Sequence, residues 1–156
     1  MQNAVQRALR ENLNDPATGL PAGRVTREEL EAARGRPGRA ILEFRLRNLA
    51  PFRDQYGLLA GTDLVRYTAL LLNRLLNQLG AAEDFLGWQA DEAFVVVCAA
   101  DKAEVFQRTA VERFRHDAVQ HYTLGERLGA DQVRVRLPDG QPAVLPIVQL
   151  EARRAQ

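Results

Sequence analysis

The chain has 156 residues, 46% hydrophobic and 26% charged, which suits one domain with a core of its own and is short for two. A net charge of +1 supplies no global field to draw in nucleic acid or an anionic membrane surface. One cysteine, Cys98, excludes an internal disulfide and a thiolate zinc cluster, and the lack of any serine excludes a serine nucleophile.

The N-terminal MQNAVQRALREN carries no apolar leader, and no stretch approaches the ~18 apolar residues of a membrane span, so a cytoplasmic protein without membrane insertion is expected. Residues 4–13 predict a short helix, with Val5 and Leu9 one turn apart, broken by Asn14-Asp15-Pro16. DPATGLPAGR, residues 15–24, reads as a loop. Thr26 and Glu29 have capping-box spacing and predict a helix from Thr26 to about Gly35. Arg36-Pro37-Gly38 is a turn, and residues 39–46 predict a strand centred on Ile41 and Leu42. Pro51 fits the first turn of a short helix over 49–55, and Gly57 and Gly61 bracket a loop. From Thr62 to Leu79, apolar residues at 64, 65, 69, 71, 72, 75, 76 and 79 form a helical stripe that Gly80 stops. Residues 84–89 and 93–99 predict two strands about a tight turn. Cys98 closes the apolar run at 94–97 and reads as a buried structural thiol. Asp101 and Glu104 repeat the capping-box spacing, and Phe106, Ala110 and Phe114 predict a helix over 102–120. Residues 131–137 and 142–151 predict a hairpin closed by Pro138-Asp139-Gly140, with Arg134 and Arg136 on its wet face. No repeat or linker divides residues 1–156, so a single domain is expected. The element order predicts an α+β architecture with a mostly antiparallel sheet and helices on its faces.

Three stretches, in order, resemble a GGDEF domain, the domain of bacterial diguanylate cyclases. DPATGLPAGR is similar to the opening loop D-x-L-T-G-L-x-N-R. RLRNLAPFRDQYGLLAGTDL, residues 45–64, is similar without a gap to D-x-D-x-F-K-x-x-N-D-x-x-G-x-x-x-G-D-x-x-L. FLGWQADEAFVVV, residues 85–97, is similar to the strand–turn–strand that carries the GGDEF signature. The likeness continues weakly through FRHDAVQHY and the hairpin ending at LPIVQL, and so covers nearly the whole chain. It implies a GGDEF or nucleotide-cyclase-like fold with a central, mostly antiparallel sheet.

In that family two GTP molecules meet across a homodimer of half-sites, and magnesium neutralises the charge that develops on the phosphates. Carried over position by position, the first Asp of D-x-D, a metal ligand, falls on Arg45 and the second on Arg47. The phosphate-contacting Lys falls on Ala50, and the guanine-reading Asn and Asp fall on Arg53 and Thr62. The five signature letters fall on Ala90, Asp91, Glu92, Ala93 and Phe94. Of these only Glu92, at the second metal-ligand position, and Phe94 keep the family's chemistry. Asp54, Tyr56, Gly57 and Gly61 also match, in largely structural roles. A guanidinium at Arg45 repels a divalent cation and is expected to pair with Glu92, filling the metal site. Ala90 and Asp91 restore Cβ atoms where the family has glycines, at roughly 1–2 kcal/mol if the turn needs a left-handed backbone. The product-inhibition motif R-x-x-D keeps Asp84 but has Ala81 in place of its arginine. The family's last strand and helix, beyond the positions of Glu151-Ala152-Arg153, have no counterpart before Gln156, and 156 residues leave no room for the sensor domain that usually comes first, so the chain is expected either to be excised from a larger protein or to act in trans.

The resemblance therefore implies a degenerate domain, catalytically inactive and without a cofactor. It would act as a regulatory or protein-interaction module in bacterial signalling, with a protein partner or a second copy as its contact. The alternative is a metal-free receptor for a nucleotide or cyclic di-GMP, with Arg45, Arg47 and Arg53 as phosphate contacts; their plainer reading is solvated or locally paired charge. An active cyclase is the least favoured reading. His116 and His121, five apart, miss the spacing of a helical metal pair, and no basic–aromatic motif points to nucleic acid. Trp88 reads as a core or interface aromatic.

Overall fold

Alternation along one strand organises the molecule. The computed structural model describes residues 2–11, 13–89 and 92–155; Ala90 and Asp91 lie outside them. In β1 (Arg39–Arg47), Ala40, Leu42 and Phe44 face one way and Ile41 the other, the period-2 pattern of a strand buried on both sides. It is flanked by β3 (Ala93–Ala99) and β7 (Gln149–Ala155), and β2 (Phe85–Gln89) pairs with β3. The result is a four-stranded sheet in the order β2-β3-β1-β7, antiparallel at every step.

Each face has its own apolar cluster. On one side, α4 (Leu58–Leu79) and α5 (Ala103–Ala118) bring Leu64, Leu72, Leu75, Phe106 and Phe114 onto Leu42, Phe44, Phe94 and Val96. On the other, α1 (Gln2–Arg10) and α2 (Gly23–Arg34) cover Ile41, Phe85, Val95 and Val97 with Ala4, Ala8, Val25 and Leu30. This second layer stops short of the far end of β1, so Glu43, Arg45 and Arg47 lie on a sheet face that no helix covers. Burying charge without partners is costly, and the charged residues cluster where the cover ends. The α+β architecture is as the sequence predicts. No helix among the described residues is long and apolar enough to cross a membrane.

Four boundaries differ from expectation. Helix α2 begins at Gly23, and no side chain caps it. Thr26 is buried inside its first turns, where its hydroxyl donates to the Pro21 carbonyl at 2.9 Å, so the expected capping box with Glu29 does not form. The box at Asp101 and Glu104 is also absent, because a short 3-10 turn over 100–102 leads into α5. The loop expected between Gly57 and Gly61 is helix: α3 (Leu49–Tyr56) ends at Gly57, α4 starts at Leu58, and Gly61 is buried within it. Gly57 alone makes the break, at φ 94 and ψ 169, a conformation essentially reserved for glycine.

The fourth difference is the most consequential. The strand expected over 142–151 is two strands. β6 (Pro142–Pro146) pairs with β5 (Gln132–Arg136) across the expected Pro138-Asp139-Gly140 turn, in a separate sheet β4-β5-β6 with β4 at Glu126–Leu128. After Ile147-Val148 the chain enters the main sheet as β7, placing Glu151 opposite Arg45 and Arg153 opposite Glu43. In β5, Val133 and Val135 are buried and Arg134 and Arg136 exposed, as their alternation predicts. Cys98 is buried in β3, and burial pushes its thiol up to about 11.

Candidate functional site

The described site positions fall on β1, α3, α4, β3 and the connection between β2 and β3. Arg45 and Arg47 close β1, Ala50 and Arg53 lie on α3, Thr62 lies near the start of α4, and Ala93 and Phe94 open β3. The connection between β2 and β3 is a tight one. Gln89 pairs with Ala93, and the Glu92 N–H donates to the Gln89 carbonyl at 3.1 Å. Glu92 itself has φ 64, the left-handed conformation that commonly ends a three-residue hairpin loop. The backbone strain expected at Ala90 and Asp91 therefore has a described counterpart one residue later, at a residue with a Cβ.

Arg45, Glu92 and Phe94 share a cavity of about 160 Å3 with Leu46, Leu49, Val65 and Trp88. Trp88 stands edge-on to Phe94 with ring centroids 5.0 Å apart, packed against the core as expected. Ala50 and Thr62 do not line this cavity. Arg47 turns away from it towards β7, where its Nη1 lies 3.4 Å from Glu151.

The partner of Glu92 is not the expected one. Its carboxylate accepts from Arg53 Nη2 at 2.8 Å, while Arg45 Nε donates to Glu43 at 3.1 Å. Arg53 reaches across from α3 because Gly61, on α4, leaves room for it. A Cβ at Gly61 would stand 2.7 Å from Arg53 Cγ and 2.9 Å from its Nε. The side chain thus runs over a bare stretch of helix backbone to the hairpin. An ion pair does form at Glu92, but with Arg53 rather than Arg45.

Glu43 is the residue that the sequence analysis missed. Its side chain is only 14% exposed and lies between Arg45, at 3.1 Å, and Arg153, at 3.0 Å. The signal was available: a residue two before Arg45 on a strand must share its face. With Arg47 on Glu151 and Arg53 on Glu92, each of these four arginines has a carboxylate within reach. Arg45 also borders an open depression of about 570 Å3 shared with Glu43, Glu151, Ala152 and Arg153.

Asp84, matched in the sequence analysis to the aspartate of R-x-x-D, is turned inward. Its side chain is 2% exposed, Arg39 Nη2 lies 2.9 Å from one carboxylate oxygen, and the Ala81 N–H donates to the other at 2.8 Å. The histidines do not converge on a metal. His121 packs against the Tyr67 ring at 4.7 Å, where burial lowers its pKa, and Tyr67 donates to Asp117. Among the described residues, no group of three or more His, Cys, Asp or Glu side chains is placed to hold a metal ion.

Solved structures with this arrangement include GGDEF domains. The coiled coil and GGDEF domain of DgcB from Caulobacter crescentus, solved in complex with c-di-GMP, matches with a TM-score of 0.60, covering 99% of this chain and 75% of that one at 19% identity. The fold is that of a GGDEF domain. The diguanylate cyclase SiaD from Pseudomonas aeruginosa, solved with its activator SiaC, matches at 0.62 and 18% identity, covering 100% of this chain and 55% of that one. The GGDEF domain of FimX from Pseudomonas aeruginosa matches at 0.57 and 16% identity, with 92% and 80% covered. No family model matches the sequence, and no curated protein matches it by sequence. The GGDEF-like backbone is therefore retained at identities too low to carry function with it.

Proposed function

We propose that this GGDEF-like domain is catalytically silent and serves cyclic di-GMP signalling through protein contacts, as a regulatory or dimerising module. The observation that carries the reading is the Arg53–Glu92 pair at 2.8 Å. Magnesium is usually held by one or two carboxylates together with phosphate and water. Here Glu92, the carboxylate at the metal-ligand position, is taken up by a guanidinium, and Glu43 close by is shared between two more. A donor set already satisfied by arginines does not fit a divalent cation. The replacement of both guanine readers and the phosphate lysine, at Arg53, Thr62 and Ala50, supports the same reading. A bound activator, as the SiaD structure has in SiaC, is the kind of contact such a domain would use.

The pairing also bears on metal-free nucleotide binding. Phosphate would have to displace carboxylates from Arg45, Arg47 and Arg53, so local neutralisation of these charges supports the protein-contact reading over the receptor reading.

The test incubates the chain with GTP and magnesium and separates the products by chromatography. Beside it runs a variant carrying Arg45→Asp, Arg53→Asn, Thr62→Asp and glycines at Ala90 and Asp91. No cyclic di-GMP is expected from the natural sequence, and turnover by it would overturn the reading. Calorimetric titration with GTP and with cyclic di-GMP, without metal, should show nothing tighter than roughly 100 μM; tighter binding would favour the receptor.

A further inference from the structure

We propose that two copies of this chain associate through the face formed by the α3–α4 junction, the turn before β4 and the β5–β6 hairpin, with Leu58 and Leu59 of each copy seated in a depression of the other and Asp54 opposite Arg136. The inference rests on the protein-contact reading and names the surface that makes the contact.

The three most exposed large apolar side chains among the described residues are Leu58 and Leu59, each 77% exposed, and Leu124, at 75%. They lie on two segments that are tied together, because the Thr123 N–H donates to the Tyr56 hydroxyl at 3.0 Å. Leu58 follows Tyr56 by two residues, so their Cα atoms are at most about 7 Å apart. Neither Leu58 nor Leu59 has a local task. A helix start gains from capping oxygens and acidic side chains, and the start of α4 has neither. Leu124 sits at φ 49, in the left-handed region that a residue with a Cβ occupies at a cost, and there it holds an apolar group in water. Apolar surface gathered in this way marks a contact face.

The same face has a hollow. An open depression of about 330 Å3 is lined by Tyr56, Leu124, Leu137 and Pro138, with Arg136 in its wall. Knob and hollow thus meet at Tyr56. A closed two-fold contact needs one patch that complements itself, so that a residue of each copy meets its counterpart in the other twice, and the contact stops at a dimer.

The charges select the occupant. Asp54 is exposed, next in the chain to Gln55 of the depression, and its side chain makes no ion pair or hydrogen bond among the described residues. Arg136 is exposed as well; it donates to the Gly140 carbonyl at 2.7 Å and has no carboxylate partner among the described residues. Asp139, in the hairpin turn, accepts the Gln141 N–H at 3.0 Å. The depression is therefore bordered by one unpaired charge of each sign. A partner of a single charge sign would leave one of them opposed. A second copy brings both, and Asp54 meets Arg136 on each side of the axis. Complementary charge at the rim of an apolar contact fixes its register and its partner.

The test is sedimentation equilibrium on the whole chain across a concentration series. The natural chain should dimerise. A variant carrying Leu58→Asp and Leu59→Asp changes only exposed side chains, and should associate about tenfold more weakly or worse while keeping the circular dichroism of the natural chain. Asp54→Arg and Arg136→Asp, made separately, each oppose like charges twice and should also weaken the dimer. An equimolar mixture of these two restores both unlike pairs and should recover it, a result that misfolded variants cannot give. A natural chain that stays monomeric, variants that dimerise unchanged, or a mixture that fails to recover would each overturn the proposal. Unchanged dimerisation in the variants would leave the protein-contact reading standing on another surface. Cyclase activity would strike that reading whatever this face does.

Discussion

At Glu92 a side chain at φ 64 carries a carboxylate that the sequence assigns to Arg45 and the structure gives to Arg53. Strand neighbours are easy to infer from register, which is why Arg45 looked the natural partner. The reach of Arg53 depends on Gly61 lying in the first turn of another helix, and no local pattern in 45–64 states that. The pair is half exposed and is worth about 0–1 kcal/mol by itself, so its importance is electrostatic rather than structural. The Arg39–Asp84 pair is different, with side chains 8% and 2% exposed. Asp84→Ala would leave a buried guanidinium without its counter-charge, and should lower stability in urea denaturation by about 3–5 kcal/mol. A loss below about 1 kcal/mol would mean that Arg39 finds another outlet. Asp84 could be matched to R-x-x-D from sequence, but its inward turn could not, because the cation that holds it, Arg39, opens β1 far back along the chain.

Among the elements, those with a long apolar period were legible. The stripe from Leu64 to Leu76 marks α4, and Phe106, Ala110 and Phe114 mark α5. The ends were less so, because the capping pattern at Thr26 competes with a tertiary bond from its hydroxyl to Pro21, which wins. Two glycines close together read as one loop, yet they do opposite things: Gly57 breaks the chain, and Gly61 makes room for a neighbour. Gly57→Ala should therefore cost about 1–3 kcal/mol, since φ 94 with ψ 169 suits no side chain. Calorimetric melting would read this as a lowered transition, and an unchanged melting temperature would show that the junction can rearrange. The split of 142–151 into β6 and β7 was illegible because both halves alternate alike, and only pairing partners far along the chain distinguish them.

Over the whole molecule, the two helical layers explain where the site is and why its charges gather there. The layer formed by α1 and α2 ends before Glu43, and the face beyond it is populated by arginines and glutamates that neutralise one another. The GGDEF-like backbone persists because its core positions, from Leu42 to Phe114, are filled with apolar side chains that do not depend on catalysis. The central claim is that Arg53, not a metal ion, is the partner of Glu92. It is tested most directly by soaking crystals of the chain with GTP and manganese and collecting anomalous diffraction. The account predicts Arg53 still on Glu92 and no anomalous peak there. A peak at coordination distance from the Glu92 carboxylate, about 2.0–2.2 Å, with Arg53 displaced, would contradict it.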